Sequence, residues 1–387
     1  MPPSSLICAC SKIGVCYKRH QNCLNQLADL RTEHELPEQI PEESEDCLYL
    51  SIYVPAEHKP IRRSPCGSGH GDGKPVMFYI HGGALQSGTG NSFDGSSLAG
   101  NQDVVVVVIN YRINGNMPPA CRDDLVADSC VVFGFSNAPN LPLKSRNAAF
   151  WDQRMALSWV QDNIAAFGGD PRKVAIFGES SGASSVDRLL TTMIDNPPFR
   201  AAILQSGQAS ISAFPNDQGP AAWHSLVSAL NCSSSDATAA AEKEFACVQA
   251  ADARVIREIV NRQPIVPFSP VTDNVTQLAT PLIEARRNGS TAQVPLMVGS
   301  NGQEGMNLGP SYHITDFDSV TEEILAQFLT NLTGSAQAGA AIMPIIKSIQ
   351  KSSPWYNLFE AGAQLYTEVV YQCVRTCRSR DIRPKCC

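Results

Sequence analysis

The stretch Val174-Ala-Ile-Phe-Gly-Glu-Ser-Ser-Gly-Ala183 constrains this chain more than any other. A β-branched, apolar run ends in Gly178-x-Ser180-x-Gly182 and passes without interruption into a helical pattern from Ser181 to Ile194. Strand, tight turn and helix in that order present the middle residue of the turn at the carboxyl end of a strand. Glycines on either side remove the clashes that so sharp a bend would create. A serine hydroxyl is a weak nucleophile and gains reach from this placement, and the start of the helix favours negative charge that develops beside it. Ser180 is therefore the candidate nucleophile.

The rest of the chain supplies a setting for such a turn. Short apolar runs predict strands at Leu48–Val54, Val76–Ile80, Val104–Asn110, Val174–Phe177, Ala201–Gln205 and Pro295–Val298. Several are almost continuously apolar, as strands covered on both faces must be. Between them, helical patterns run over Phe150–Ala166, Ser181–Ile194, Ala221–Leu230, Ala251–Asn261, Val320–Leu332 and Phe359–Arg375. Alternating strands and helices predict an α/β domain with a mostly parallel central sheet and helices on both faces. Three stretches fit this pattern poorly: the first 40 residues or so, the Gly-rich loop Ser64–Lys74, and a polar insertion at 115–130.

Composition narrows the function classes. A net charge of −7, with no Lys/Arg cluster interleaved with aromatics, excludes a phosphate-backbone surface, so no nucleic acid partner is expected. No apolar run approaches the roughly 20 residues of a membrane-spanning helix. Fourteen cysteines lean toward an oxidising compartment, but they show no metal-ligand spacing with paired histidines, so no metal is expected. The N-terminus has no clear signal peptide. Four Asn-x-Ser/Thr sequons, at Asn231, Asn274, Asn288 and Asn331, suit secretion but arise by chance about as often.

Phe167-Gly-Gly-Asp-Pro-Arg-Lys-Val-Ala-Ile-Phe-Gly-Glu-Ser-Ser-Gly182 resembles the active-serine signature of type-B carboxylesterases along its whole length. Glu45-Asp-Cys-Leu-Tyr-Leu-Ser-Ile-Tyr-Val-Pro55 resembles a second signature of that cholinesterase-like family, and Asn110-Tyr-Arg112 and Trp151-Asp-Gln-Arg154 also fit it. The resemblance implies an α/β-hydrolase fold over residues 45–373, between an atypical segment at 1–44 and a basic, Cys-rich tail at 374–387. It implies hydrolysis of a small-molecule or lipid carboxylic ester through an acyl-enzyme, without a cofactor. It also implies secretion, and leaves the oligomeric state open. His81-Gly82-Gly83-Ala84 follows an apolar strand where such folds place the oxyanion-hole loop. The resemblance makes Gly83, Ala84 and the Ser181 N–H the donors, in a loop entered through Gly82. Many relatives carry a third glycine where this chain has Ala84, a change that matters if the position needs positive φ.

The resemblance further assigns Glu304, in Leu296-Met-Val-Gly-Ser-Asn-Gly-Gln-Glu-Gly305, as the carboxylate that orients the base, with Glu284 fitting worse. The base itself has no match. Only His313 follows Glu304, and the family's histidine lies well beyond a helix and cysteine resembling Phe359–Cys373. The chain as written is therefore expected to be nearly inactive, without the closing strand and helix of the sheet. Translated introns or missed exons would account for this and for the insertion at 115–130. The resemblance pairs Cys232 with Cys247, and Cys47 with Cys23 or, failing that, Cys16. Leu85, Gln86 and Phe214 are candidate gorge residues. The alternative is a non-catalytic binding or adhesion protein on the same fold.

Overall fold

The computed structural model describes residues 43–55, 73–113, 133–209, 219–236, 238–262, 268–280, 282–311, 314, 316–333, 335–353 and 356–372, with short strand pieces at 9–10, 16–17 and 22–23. The insertion at 115–130, most of the segment at 1–44, the loop at 64–72, Phe214, His313, Cys373 and the tail at 374–387 lie outside the described residues. Two compact units emerge: described residues up to 297 form one, and those from 298 onward form the other.

The first unit is built on a sheet. Its strands are Leu50–Tyr53 (β1), Lys74–Ile80 (β2), Val105–Ile109 (β3), Gly169–Glu179 (β4), Ala201–Gln205 (β5) and Leu296–Gly299 (β6), the last of which runs past the unit's final residue, Met297, in the order β6-β5-β4-β2-β3-β1. Parallel pairing joins β3 to β2, β2 to β4 and β4 to β5, whereas β1 runs antiparallel on β3. All five residues of β3 are buried. Because side chains alternate faces along a strand, both faces of β3 must be covered, as the continuous apolar run predicted.

Helices Ser96–Gln102 (α1), Ala148–Asn163 (α2) and Ser181–Thr192 (α3) accompany these strands. In α2 the buried residues Phe150, Gln153, Leu157 and Val160 recur at three- and four-residue spacing, the stripe of a helix with one covered side. By contrast, α3 buries nine of its residues, including Gly182, Val186, Leu189 and Leu190, as a helix enclosed nearly all round does. Gly219–Ala229 (α4), Ala240–Ala250 (α5) and Ala253–Arg262 (α6) gather around Trp223, Leu226, Val227, Val248 and Phe268. The Cys232–Cys247 disulfide fastens the segment after α4 to α5. Leu282–Arg287 (α7) completes the helices of this unit among the described residues.

The second unit packs Glu322–Thr333 (α8), Ala336–Ser352 (α9) and Leu358–Tyr366 (α10) around Val320, Leu325, Leu329, Ile346 and Phe359. Asn357 starts α10 with a reciprocal capping box, its side chain accepting the Glu360 N–H while Glu360 accepts the Asn357 N–H. Neither α9 nor α5 is among the helices predicted from sequence. Pro344 lies inside α9, where a breaker argues against a continuous helix, and α5 buries only Val248, too little for a clear period.

Candidate active site

Ser180 stands between the end of β4 and the first turn of α3, with φ 52° and ψ −122°. A non-glycine residue is held there at a cost of about 1–3 kcal/mol, so its surroundings must fix it. They do so from three directions. The Ser180 N–H donates to Gln205 O at 2.9 Å, its carbonyl accepts the Ser184 N–H at 3.0 Å, and a side chain on Gly82 would meet the Ser180 Cβ at 3.1 Å. Three neighbouring parallel strands thus end at one place: β2 in Gly82, β4 in Ser180, β5 in Gln205. The serine is half-buried, and its hydroxyl has no hydrogen-bond partner among the described residues.

The loop after β2 has an unusual backbone. Gly83, Ala84 and Leu85 have φ of 103°, 55° and 62°, and the turn is closed by the Gln86 and Ser87 N–H groups, both donating to Gly83 O at 2.8 Å. Ala84 is thus in the left-handed region that favours glycine, the circumstance in which its departure from the common third glycine matters. Replacing Ala84 with glycine is expected to stabilise the fold by about 0.5–1 kcal/mol, the relief of strain less the added freedom of the unfolded chain. Thermal denaturation of the variant measures this. Ala84 is exposed and Leu85 is 3% exposed, so the loop turns one residue outward and anchors the next.

Ser181 is buried, and its Oγ accepts the Leu85 N–H at 3.1 Å. Gly82, Gly83, Ala84, Ser180 and Ser181 are thereby gathered on one side of the first unit. Glu304 belongs to the second unit, where it is 6% exposed and its carboxylate accepts the Asn301 N–H at 2.7 Å. The following Gly305 N–H donates to the buried Thr367 Oγ at 2.9 Å, which holds the Glu304 turn against the end of α10. Glu284, by contrast, is exposed on α7.

The described histidines are His81 and His224, the latter exposed on α4. His81 is buried, stacks on Tyr111 with ring centres 4.2 Å apart, and donates from Nδ1 to Gly82 O at 2.8 Å; Nε2 makes no hydrogen bond. Burial outweighs the bond to Gly82 and pushes its pKa down to about 4. The imidazole is neutral in the fold, whereas the unfolded chain takes up a proton near pH 6.5. Stability is therefore expected to fall as pH drops from about 6.5 to about 4, by roughly 3 kcal/mol in all. Denaturation measured across that range tests this, and His81→Gln is expected to flatten the profile.

Several residues of this site carry no signal of their own in the sequence. Arg112 and Asp152, from two separate motifs, form a two-point ion pair at 2.7 and 2.6 Å that ties the end of β3 to α2. Gln153 donates to Ser185 Oγ at 3.1 Å, which donates in turn to Ser181 O at 3.0 Å. Asp187, wholly buried on α3, pairs with Arg286 and accepts the Ala209 N–H at 2.9 Å. The motif strings contained Arg112, Asp152 and Gln153, but a string does not say which motif grips which. Cys232 and Cys247 are bonded as the resemblance implied, with Cα atoms 5.7 Å apart. Cys47 is also disulfide-bonded, while the side chains of Cys23 and Cys16 lie outside the described residues.

The sequence pattern of the carboxylesterase family matches residues 10–352. The chain belongs to that family. Its matched stretch opens at residue 10, inside the segment at 1–44 that the sequence alone set apart. This carboxylesterase-family chain is 32% identical to neuroligin-2 of Mus musculus over 80% of its own length and 36% of that protein's. It is 34% identical to carboxylesterase 5A of Felis catus over 70% of its own length and 44% of that protein's. The chain thus spans less than half the length of these curated relatives. A solved structure titled PNB esterase superposes with a TM-score of 0.59 at 24% identity, covering 89% of this chain and 64% of that one, a likeness of α/β-hydrolase fold. Among the described residues no cluster of His, Cys, Asp and Glu is placed to hold a metal, and no helix is long and apolar enough to cross a membrane.

Proposed function

We propose that this chain carries the nucleophile half of a serine esterase acting on carboxylic esters. The Ser180 oxygen attacks the ester carbonyl, and its proton passes to a base. The carbonyl oxygen becomes an oxyanion that accepts hydrogen bonds from the Gly83, Ala84 and Ser181 N–H groups. Collapse of this intermediate expels the alcohol, and water then releases the acid from the Ser180 acyl-enzyme. Glu304 is the carboxylate that would orient an imidazole base. Its burial and its turn fixed by Thr367 support that role over the exposed Glu284.

One observation carries the reading: a strained serine at the carboxyl end of a central strand, with the turned Gly83–Leu85 loop beside it. Neither described histidine serves as the base, since His81 is buried without a bond from Nε2 and His224 is exposed on α4. Ester turnover is therefore expected to rise when a small base is supplied in solution. In a second reading the fold binds a partner and catalyses nothing. Relatives named neuroligin, as similar as those named carboxylesterase, are consistent with it. The Cys232–Cys247 bridge and the bonded Cys47 support an oxidising, extracytoplasmic setting.

Covalent labelling separates the two readings. Chain recovered from the medium of a secretory host is incubated with a fluorophosphonate in the presence of imidazole as base, and its peptides are read by mass spectrometry. The esterase reading expects the adduct on Ser180, and none on that peptide in Ser180→Ala. Labelling scattered over other serines, with Ser180 untouched, would favour the binding reading.

A further inference from the structure

The donor loop is held at both ends by hydroxyl groups that take no part in the chemistry proposed above. At its far end the Leu85 N–H donates to Ser181 Oγ at 3.1 Å, across 96 residues of sequence. At its near end the Tyr111 hydroxyl donates to His81 O at 2.8 Å, with the Tyr111 ring stacked on the His81 imidazole. The Tyr111 side chain is fully buried, so the hydroxyl that holds the His81 carbonyl is shut away from water.

Between these two fixed points stand Gly82, Gly83 and Ala84. Three successive positive φ values at Gly83, Ala84 and Leu85 form a conformation that the backbone would leave if unsupported, and Leu85 is the bulkiest side chain in it. The loop can keep its N–H groups on aim only while both ends stay fixed. We propose that the hydroxyls of Ser181 and Tyr111 are positioning groups that brace this loop as one unit, and that they govern turnover without touching the ester. The catalytic part of this inference rests on the Ser180 reading; the brace itself does not.

Two measurements test it, on wild type, Ser181→Ala, Tyr111→Phe and the double variant. Hydrogen exchange of the peptide covering 82–88 reads the brace whether or not the chain is active. It is expected to quicken about tenfold in each variant while peptides from β3 and α2 stay unchanged. Hydrolysis of a p-nitrophenyl ester, with imidazole supplied as base, reads the consequence. Each single variant is expected to lose about ten- to hundredfold in kcat with KM within about twofold, because displacing a catalytic group by a fraction of an ångström acts on the transition state. The double variant is expected to be little worse than the poorer single one, as for residues acting together. Unchanged exchange at 82–88 overturns the brace. Faster exchange with unchanged kcat, or losses that multiply in the double variant, overturns its role as a single positioning unit. If wild type shows no turnover that depends on Ser180, the esterase reading falls and the positioning role with it, while the exchange arm still decides the brace.

Discussion

Adding neutral imidazole is expected to raise ester hydrolysis by this chain about a hundredfold, and to do so only while Ser180 is present. The expectation follows from what stands around the serine. Its hydroxyl meets no hydrogen-bond partner among the described residues, and it is half-buried, not enclosed, so a small base can reach it. A positioned general base contributes about 10²–10⁴ in rate, and a freely diffusing one recovers part of that. The measurement is release of p-nitrophenol against imidazole concentration, corrected for the reaction of imidazole with the ester alone. Ser180→Ala should return the slope to that background. A slope equal in wild type and variant would remove Ser180 from the chemistry, and a high rate without imidazole would mean that the chain supplies its own base from residues not described.

Gly182→Ala is expected to abolish that same turnover, by at least about a hundredfold, although the substituted residue touches no substrate. A Cβ at Gly182 would lie 2.1 Å from Ile80 O and 2.6 Å from His81 O. Both are backbone atoms at the end of β2, where no side chain can rotate out of the way. Either the first turn of α3 or the start of the donor loop must move by about an ångström. Displacements of that size cost about 10² in rate when they separate a nucleophile from its oxyanion donors. Overpacking also destabilises, here by about 2–3 kcal/mol. Parallel measurement of kcat and of the denaturant midpoint separates the two effects. A variant that stays folded and keeps full activity would show that α3 and the donor loop need not approach so closely.

Much of this arrangement was legible in the sequence. The apolar run before Gly178 and the helical pattern after Ser180 announced the turn, and the run at Val105–Ile109 announced a strand covered on both faces. The apolar run before His81 likewise announced where the loop at Gly82–Leu85 begins. Each of these signals is local, since strand, turn and helix patterns repeat over a few residues. What stayed hidden depends on distant residues meeting. Nothing in Asn110-Tyr-Arg112 says that Tyr111 holds His81 or that Arg112 grips Asp152, and nothing in the Ser181 codon distinguishes a surface hydroxyl from one that receives the Leu85 amide. Ala84 posed a question that composition could not answer, because positive φ is a property of the turn and not of the residue. The helix at Ala336–Ser352 was missed for the opposite reason: Pro344 is a strong local signal that packing overrode.

The three strands that end at Ser180 are neighbours, with β4 lying between β2 and β5. Each contributes one wall of the same small space, and each is bonded along its length to the next. The strand ends consequently carry no hinge of their own. Separating the strand ends means breaking paired strands in the middle of the sheet, so these walls are expected to melt with the sheet in a single cooperative step, while local opening is confined to the loop after β2.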